Sequence, residues 1–355
     1  MIYLDNASTT KIDDRVLTEM LPYLKENYGN ASSLHSLGRK SRQAIEHARE
    51  QVAKSINAEP NQIFFTSGAT ESNNWVCSNF NRVMCSPYEH HSILHCRNTI
   101  ELSQYCSFEW NIQDILPDLV SYMMVNNEVG TVFNVKEMSK ICHKNHVLFH
   151  TDATQGFGHI PIDVKDLDVD FLSLSSHKFY TPKGTGILYI KEPDKFKPFL
   201  YGGAQEKNKR AGTENVAGIV GMGKACELHN YNIETNNYIL GLKTHLMDFI
   251  TNNIPDVRIN SPLETTVSNI LNVSFKGIEG ESLMLMLDRA EICVSSGSAC
   301  NSGSLEPSHV LKNMGVPDDY IYGTVRFSFS KFNTLDEIIE TEKTLKEIIE
   351  KLRSN

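Results

Sequence analysis

Short apolar runs alternate with helical patterns through the middle of this chain, and this alternation most constrains its fold. Strands that are apolar on both faces and separated by helices are typical of a mostly parallel sheet covered on both sides. The sequence therefore predicts an α/β fold with ligands at the carboxyl ends of the strands. The predicted strands are 62–66, 121–125, 147–150, 169–174 and 186–190.

The pattern changes after about residue 230, where helices and isolated strands indicate a smaller α+β domain. We predict a large domain over 12–235 and a small domain formed by 236–355 together with 1–11. Two helices around a Gly/Asn/Ser loop are predicted within 9–57. In the small domain, helices are predicted at 236–252, 282–290 and 335–352, and strands at 267–275, 293–295 and 324–328.

Composition argues against several classes of function. The chain has 355 residues, of which 40% are hydrophobic and 22% are charged, and its net charge is -9. An acidic balance argues against non-specific binding to nucleic acid or to anionic membranes. No apolar run approaches the ~20 residues of a bilayer span. The first residues lack a signal-type pattern, so the cytoplasm is expected. The eight cysteines are scattered and predict reduced thiols rather than a disulfide framework.

Two polar residues follow predicted strands at the points where those strands end. Asp152 follows 147–150, and Lys178 follows 169–174. A pyridoxal phosphate (PLP) enzyme needs a lysine for a Schiff base and an aspartate that keeps the pyridine nitrogen protonated. Gln155 could reach the phenolic oxygen of the same cofactor. The alternatives are a solvated loop lysine and an aspartate that caps a helix.

A phosphate site is predicted where the strand 62–66 turns into a helix through Ser67-Gly68-Ala69-Thr70. Free backbone N–H groups at Ala69 and Thr70 and the positive end of the helix dipole favour a dianion there. The Thr70 hydroxyl is a further donor. Alone the motif is weak, because the same residues could merely cap a helix.

Together these segments resemble those of the cysteine desulfurases, in the NifS/IscS-like branch of the class V PLP-dependent aminotransferases. The resemblance runs in order over essentially the whole chain. It implies an aspartate aminotransferase-like fold (fold type I) and a homodimer. It also implies conversion of L-cysteine to L-alanine, with a persulfide left on the enzyme for an acceptor such as an iron–sulfur scaffold or a tRNA-thiolation enzyme. The matching segments are 3–7, 66–71, 89–90, 125–130, 150–155, 175–178, 210–215, 295–300 and 326–328.

The resemblance also implies a role for each matching polar residue. His90 stacks on the cofactor ring and moves protons, and Cys300 takes the sulfur. Asn127 faces both the cofactor oxygen and the substrate, and Arg326 pairs with the substrate carboxylate. The residues implied at the phosphate are Thr70, Ser175, His177 and, from the neighbouring subunit, Thr213.

Elementary chemistry is compatible with the roles implied for Arg326 and Cys300 and leaves an alternative to each. Arg326 interrupts an apolar strand, and its planar fork suits a carboxylate; the alternative is a structural ion pair. Cys300 lies in a small, polar stretch, 295–304, which is typical of an exposed loop and unusual for cysteine. The alternative is an incidental surface thiol.

Other interpretations stay open at this stage. His90 lies near His95, Cys85 and Cys96, which permits a metal-binding interpretation, but no pair has zinc-finger spacing and no metal is predicted. A selenocysteine lyase or another β-eliminating PLP enzyme, and a catalytically idle PLP-fold binding protein, are the rival functions. The segment between His90 and Asn127 is shorter than expected for the family.

Overall fold

The computed structural model describes residues 1–102, 112, 115–296 and 307–354. The chain divides into two compact units. The first contains 1–10, 125–132 and 232–355, and the second contains 11–124 and 133–231. Residues 125–132 belong to the same unit as the C-terminal third, whereas the predicted boundaries include them in the large domain. We propose that the second unit is the PLP-binding domain and that the first is the small domain.

The described residues form twelve strands, numbered here in chain order. Most predicted strands are confirmed with shifts of one to three residues at their ends. The strands are β1 (Ile2–Tyr3), β2 (Ile63–Thr66), β3 (Val83–Cys85), β4 (Thr99–Glu101), β5 (Leu119–Ser121), β6 (Leu148–Asp152), β7 (Phe171–Ser175), β8 (Gly186–Ile190), β9 (Val257–Ile259), β10 (Ile270–Phe275), β11 (Ile292–Cys293) and β12 (Thr324–Ser328).

The helices of the described residues are numbered in the same way. Both helices predicted within 9–57 are present, and the three predicted C-terminal helices are confirmed. The helices are α1 (Asp14–Lys25), α2 (Ser36–Ser55), α3 (Ala69–Ser78), α4 (His91–Leu94), α5 (Val135–Lys144), α6 (Val164–Leu167), α7 (Val216–Leu228), α8 (Ile233–Asn253), α9 (Gly280–Arg289), α10 (His309–Asn313), α11 (Asp318–Ile321) and α12 (Leu335–Arg353). None of them is long and apolar enough to cross a bilayer.

The second unit contains a seven-stranded sheet, in the order β2-β8-β7-β6-β5-β3-β4. The five strands from β7 to β4 are parallel, and β8 runs antiparallel to both of its neighbours. The sheet is therefore mostly parallel, as predicted. Every residue of β7 and β8 is buried, which explains why these runs lack an alternating polar pattern.

One predicted strand is wrong in its position. The run 121–125 was expected to be a strand, but β5 covers Leu119–Ser121. The backbone N–H groups of Tyr122 and Met124 still donate to carbonyls of β6, at 3.0 and 2.9 Å. The N–H of Met123 instead donates to Glu89 Oε1 at 2.6 Å. The Glu89 side chain thus accepts a hydrogen bond that a neighbouring strand would otherwise accept, so the regular strand ends at Ser121.

The first unit has its own core and two small sheets. β12, β10 and β9 form one antiparallel sheet, and β1 pairs with β11 in parallel. Leu4, Leu246, Phe275, Phe327 and Leu345 are fully buried in a common apolar cluster. The long C-terminal helix α12 begins with a capping box, in which Thr334 and Glu337 satisfy each other's backbone N–H groups.

Candidate active site

Asp152 and Lys178 follow neighbouring parallel strands of the second unit. Asp152 is the last residue of β6, and β7 ends at Ser175. Lys178 closes the 3-10 turn Ser176–Lys178 that follows β7 directly. The two strands are in parallel register, with Asp152 opposite Ser173. Both residues therefore leave the sheet at its carboxyl edge, as the sequence predicts.

Asp152 is a buried carboxylate that is held by neutral groups. Its side chain accepts hydrogen bonds from Asn73 Nδ2 at 2.8 Å and from the backbone N–H of Thr154 at 2.9 Å. The residue is 6% exposed and forms no ion pair within the described residues. A buried charge ordinarily needs a partner of opposite charge. Asp152 therefore suits a cationic group on a ligand.

His150 lies two residues before Asp152 and does not supply that charge. Its ring contacts Ser121 Oγ at 2.8 Å and Ser173 Oγ at 3.0 Å. Burial lowers the pKa of His150 to about 4, although the charge of Asp152 acts in the opposite direction. The imidazole is therefore neutral near pH 7.

The turn between β2 and α3 has the backbone that an anion site requires. Gly68 precedes α3 with a φ of 155°, which side chains other than glycine rarely allow, and no side chain caps the helix there. A Cβ atom on Gly186 would lie 2.6 Å from the Gly68 Cα. Strand β8 can therefore pack this close to the turn only because residue 186 is glycine. The first N–H groups of α3, at Ala69 and Thr70, are therefore available to an anion.

Ser175 lies close to this turn, and His177 directly precedes Lys178. Ser175 Oγ is 3.4 Å from the ideal Cβ position of Gly68, so the hydroxyl adjoins the turn. Burial lowers the pKa of His177 to about 4, and the charges of Lys178 and Lys183 lower it further. The His177 ring is thus neutral near pH 7, and it can donate one N–H without adding charge.

His90 is the N-cap of the short helix α4. Its Nδ1 accepts the backbone N–H of Ser92 at 3.1 Å and lies 2.9 Å from Ser92 Oγ. Ser92 Oγ in turn accepts from Asn73 Nδ2 at 2.9 Å. A continuous series of hydrogen bonds thus joins His90 to Asp152. Beside it, burial raises the pKa of Glu89 well above its usual range, and the charge of Asp152 raises it further.

Thr213 is exposed and lines a cleft of about 150 Å³ with Ser67, Gly184 and Arg210. Arg210 holds Glu71 of α3 with two hydrogen bonds, at 2.7 and 2.9 Å. The loop that carries Thr213 is thereby tied to the helix that forms the anion site. Its implied role, toward the phosphate of a neighbouring subunit, stays a prediction.

A left-handed turn at residues 206–208 anchors the same loop. Glu206 has a φ of 44° and is 5% exposed. Its carboxylate accepts two bonds from buried Arg49, at 2.8 and 2.9 Å, and one from the backbone N–H of Phe65 at 2.9 Å. Such backbone conformations persist where the surroundings hold them in place. The buried ion pair with Arg49 does so here.

In the first unit, the structure brings Arg326 and Asn127 together. Arg326 lies on β12 and is 2% exposed. Its Nη1 donates to the backbone carbonyl of Asn127 at 2.6 Å. Its Nη2 donates to Asp5 Oδ1 at 2.9 Å and to Ser8 Oγ at 2.6 Å. Arg326 thus forms a buried ion pair, which was the alternative considered from sequence. Its role toward a substrate carboxylate stays a prediction.

Two predicted residues remain, Gln155 and Cys300. Gln155 is buried at 6% exposure, just beyond Asp152. Cys300 lies outside the described residues. Within the described part of the chain, no group of three metal-binding side chains is close enough to hold an ion.

Sequence reasoning missed several residues that hold the site together. Asn73, Ser92, Asp5 and Ser8 contact predicted site residues but were not singled out. Asp5 falls within the matched segment 3–7, so that segment carried a usable signal. Asn73 and Ser92 carry none, because only the fold brings α3, the His90 turn and β6 together.

Comparison with known proteins identifies the family. The aminotransferase class-V model matches residues 2–340. The cysteine desulfurase IscS of Methanosarcina thermophila is 43% identical over 376 residues, which cover 99% of this chain and 93% of the relative. That alignment is longer than the chain itself, as expected if the chain lacks a segment that its relatives carry.

Solved structures agree with this comparison. A NifS-like protein from Rickettsia africae superposes with a TM-score of 0.89 at 33% identity, covering 99% of each chain. A structure described as SspA in complex with cysteine superposes with a TM-score of 0.82 at 30% identity, covering 94% of this chain and all of the other. The predicted fold class and family are therefore confirmed, and the chain belongs to the class V aminotransferase family.

Proposed function

We infer that this chain is a PLP-dependent cysteine desulfurase, which converts L-cysteine to L-alanine and transfers the sulfur to an enzyme cysteine. The family match, relatives named cysteine desulfurase and a similar structure that holds cysteine support this inference. The observation that carries it is the buried Asp152 carboxylate, beside the strand that leads to Lys178. Among the described residues, its hydrogen-bond partners are all neutral. None of the comparisons favours a selenocysteine lyase or an idle binding protein.

The residues present fit PLP. The ring N–H of the cofactor would supply the positive partner that Asp152 lacks, and the turn before α3 would hold the phosphate together with Ser175 and His177. Thr154 Oγ1 is buried beside Asp152 and has no hydrogen-bond partner among the described residues, so a ligand atom could satisfy it. Lys178 would bind the cofactor aldehyde covalently, with Gln155 near the phenolic oxygen. When bound, PLP supplies a sink for the electrons that remain after cysteine loses its α-proton.

The side chains of the protein then have separate tasks. The Lys178 amine accepts the α-proton of the substrate once the substrate has replaced it. His90 keeps its proton on Nε2, because Nδ1 accepts the N–H of Ser92, so Nε2 is the atom that can donate. In the first unit, Arg326 and Asn127 are assigned to the substrate, with Arg326 facing its carboxylate.

Cys300 is assigned as the group that takes the sulfur. Its thiolate forms an S–S bond to the sulfur of the substrate while the C–S bond of the substrate breaks. The electron pair of the broken bond stays on carbon, which gains a proton and becomes the methyl group of alanine. Two thiols therefore become one persulfide and one methyl group, and no external oxidant is needed.

Two substitutions test the assignment. Lys178→Ala should abolish the violet absorbance of the PLP-loaded protein, and borohydride should then fix no cofactor on the chain. Cys300→Ala should keep that absorbance but release no sulfide from cysteine in the presence of a reductant. A colourless wild-type protein after loading with PLP, or full sulfide release by Cys300→Ala, would contradict the proposal.

The proposal extends to assembly and partners. A homodimer is expected, because the role assigned to Thr213 needs a second subunit. Sedimentation of Thr213→Ala beside the wild type shows whether the substitution affects assembly or only cofactor binding. The acceptor is expected to be an iron–sulfur scaffold or a tRNA-thiolation enzyme, and the compartment the cytoplasm. Transfer of ³⁵S from loaded Cys300 to a purified acceptor of each kind would decide between them.

A further inference from the structure

Asn73 lies at the centre of the hydrogen bonds that join Asp152 and His90. It is on α3, and its exposure is 0%. Its amide nitrogen donates one hydrogen to Asp152 Oδ2 at 2.8 Å and the other to Ser92 Oγ at 2.9 Å. An amide nitrogen can only donate, so the direction of both bonds is fixed. The side chain has no role in the reaction described above.

The carboxylate of Asp152 determines how the Asn73 amide is oriented. In the opposite orientation, Asn73 Oδ1 would face the carboxylate with lone pairs on both sides. In the observed orientation, Oδ1 is buried and has no hydrogen-bond partner within the described residues. A buried unsatisfied acceptor is unfavourable. The structure tolerates it because the two donated bonds outweigh it.

The second branch passes through Ser92 to the histidine. Since Ser92 Oγ accepts from Asn73, its own hydrogen is directed to His90 Nδ1, 2.9 Å away. The backbone N–H of Ser92 donates to the same nitrogen at 3.1 Å. Nδ1 is thus held as an acceptor from two directions, which keeps the neutral ring in its Nε2–H tautomer.

We propose that Asn73 is a positioning residue that couples the two groups through its two amide hydrogens. One hydrogen fixes the position of the Asp152 carboxylate, and the other, through Ser92, holds His90 with its proton on Nε2. This inference rests on the proposed function, because it takes Asp152 and His90 as the groups that contact PLP.

The test compares Asn73→Leu with Asn74→Leu in PLP-loaded protein. Leucine keeps the volume of asparagine but removes both donors. Asn74 is the matched control, since it is the next residue of the same helix. In the part of the chain that the structure describes, its amide donates only to the backbone carbonyls of Thr70 and Ser92, at 2.9 and 3.2 Å. The readout is the pH midpoint of the visible absorbance of the cofactor.

Loss of the Asn73 donor should leave the Asp152 carboxylate less firmly positioned and weaken its hold on a charged pyridine ring. The midpoint should therefore rise by about one pH unit in Asn73→Leu and stay within about 0.2 unit of wild type in Asn74→Leu. Ser92→Ala removes the hydroxyl that links Asn73 to His90 but keeps the backbone N–H on Nδ1, so it should leave the midpoint unchanged and lower kcat by up to about tenfold.

These readouts separate the possible failures. A wild-type protein without a visible band overturns the proposed function. A wild-type protein with the band, together with an unshifted Asn73→Leu variant, overturns only the role of Asn73. If Asn73→Leu does not fold by circular dichroism, Asn73→Ser, which keeps one hydroxyl donor, should show a smaller rise. If the midpoint does not rise in Asn73→Ser, the branch to Asp152 is overturned. A wild-type kcat in Ser92→Ala overturns the branch to His90.

Discussion

Asp152 in the second unit and Arg326 in the first are both buried charged side chains, yet their hydrogen-bond partners differ in charge. Asp152 is 6% exposed and has two neutral donors. Arg326 is 2% exposed and has its own carboxylate, Asp5, at 2.9 Å. We propose that a ligand supplies the counter-charge of Asp152, whereas Arg326 already has a counter-ion, Asp5, without any ligand. Only the second should therefore matter for stability when no ligand is present.

The largest expected effect is on activity when Asp152 is changed to asparagine. Loss of a buried charge pair costs about 3–5 kcal/mol, so kcat should fall by about 10²–10⁴-fold. The cofactor-free protein should be no less stable than wild type, because the change removes a charge that has no ionic partner. Steady-state alanine formation and thermal unfolding without PLP measure the two effects.

Asp170→Asn is the control for this comparison. Asp170 precedes β7 at the opposite edge of the sheet and accepts from His143 Nε2 and the Phe149 N–H, both at 2.8 Å. This variant should lose stability and keep its kcat. If cofactor-free Asp152→Asn unfolds as readily as Asp170→Asn, the contrast between the two kinds of charge is wrong.

A smaller effect is expected from Asp5→Asn, and it should appear without any ligand. Arg326 would keep its charge and lose its counter-ion, which should lower the free energy of unfolding by about 2 kcal/mol. The control is Asp319→Asn, which removes an ion pair with Lys276 whose side chains are both 48% exposed. That change should cost less than about 0.5 kcal/mol. Urea unfolding of both variants measures the difference, and equal midpoints would show that Asp5 does not compensate Arg326.

The smallest effect concerns Lys243, a buried cation of the first unit with neutral partners. Its Nζ donates to Thr266 Oγ1 at 2.7 Å and to the Val267 carbonyl at 2.9 Å. Burial lowers the pKa of Lys243 to about 8, from 10.5. Between these two values the unfolded chain binds a proton that the folded chain does not. Stability should therefore rise with pH, by about 1.5 kcal/mol from pH 8 to 9.5.

The variant Lys243→Met isolates this contribution. Methionine fills a similar volume and does not titrate, so the difference in unfolding free energy from wild type should change across this range of pH. A difference that stays constant from pH 8 to 9.5 would mean that Lys243 remains charged in the folded protein. Arginine cannot give up its proton in this way, which is why Arg326 depends on Asp5 instead.

The sequence predicted those parts of the molecule that depend on local pattern. Apolar runs identified most strands, and the positions of Asp152 and Lys178 at strand ends followed from those runs. The early end of β5 could not be predicted, because it depends on a bond between Met123 and Glu89, which are distant in the chain. The same holds for Asn73, Ser92 and the counter-ion of Arg326, whose importance depends on which elements pack together.

The pairing of the first residues has a consequence for how the protein is made. β1 pairs with β11, and the backbone of Asn6 donates to Ser328 on β12. During synthesis, residues 2–6 cannot make these pairings until residue 328 has been translated. Contacts so far apart in sequence form slowly. This edge of the protein is therefore expected to mature last, and to be where a newly made chain depends most on chaperones.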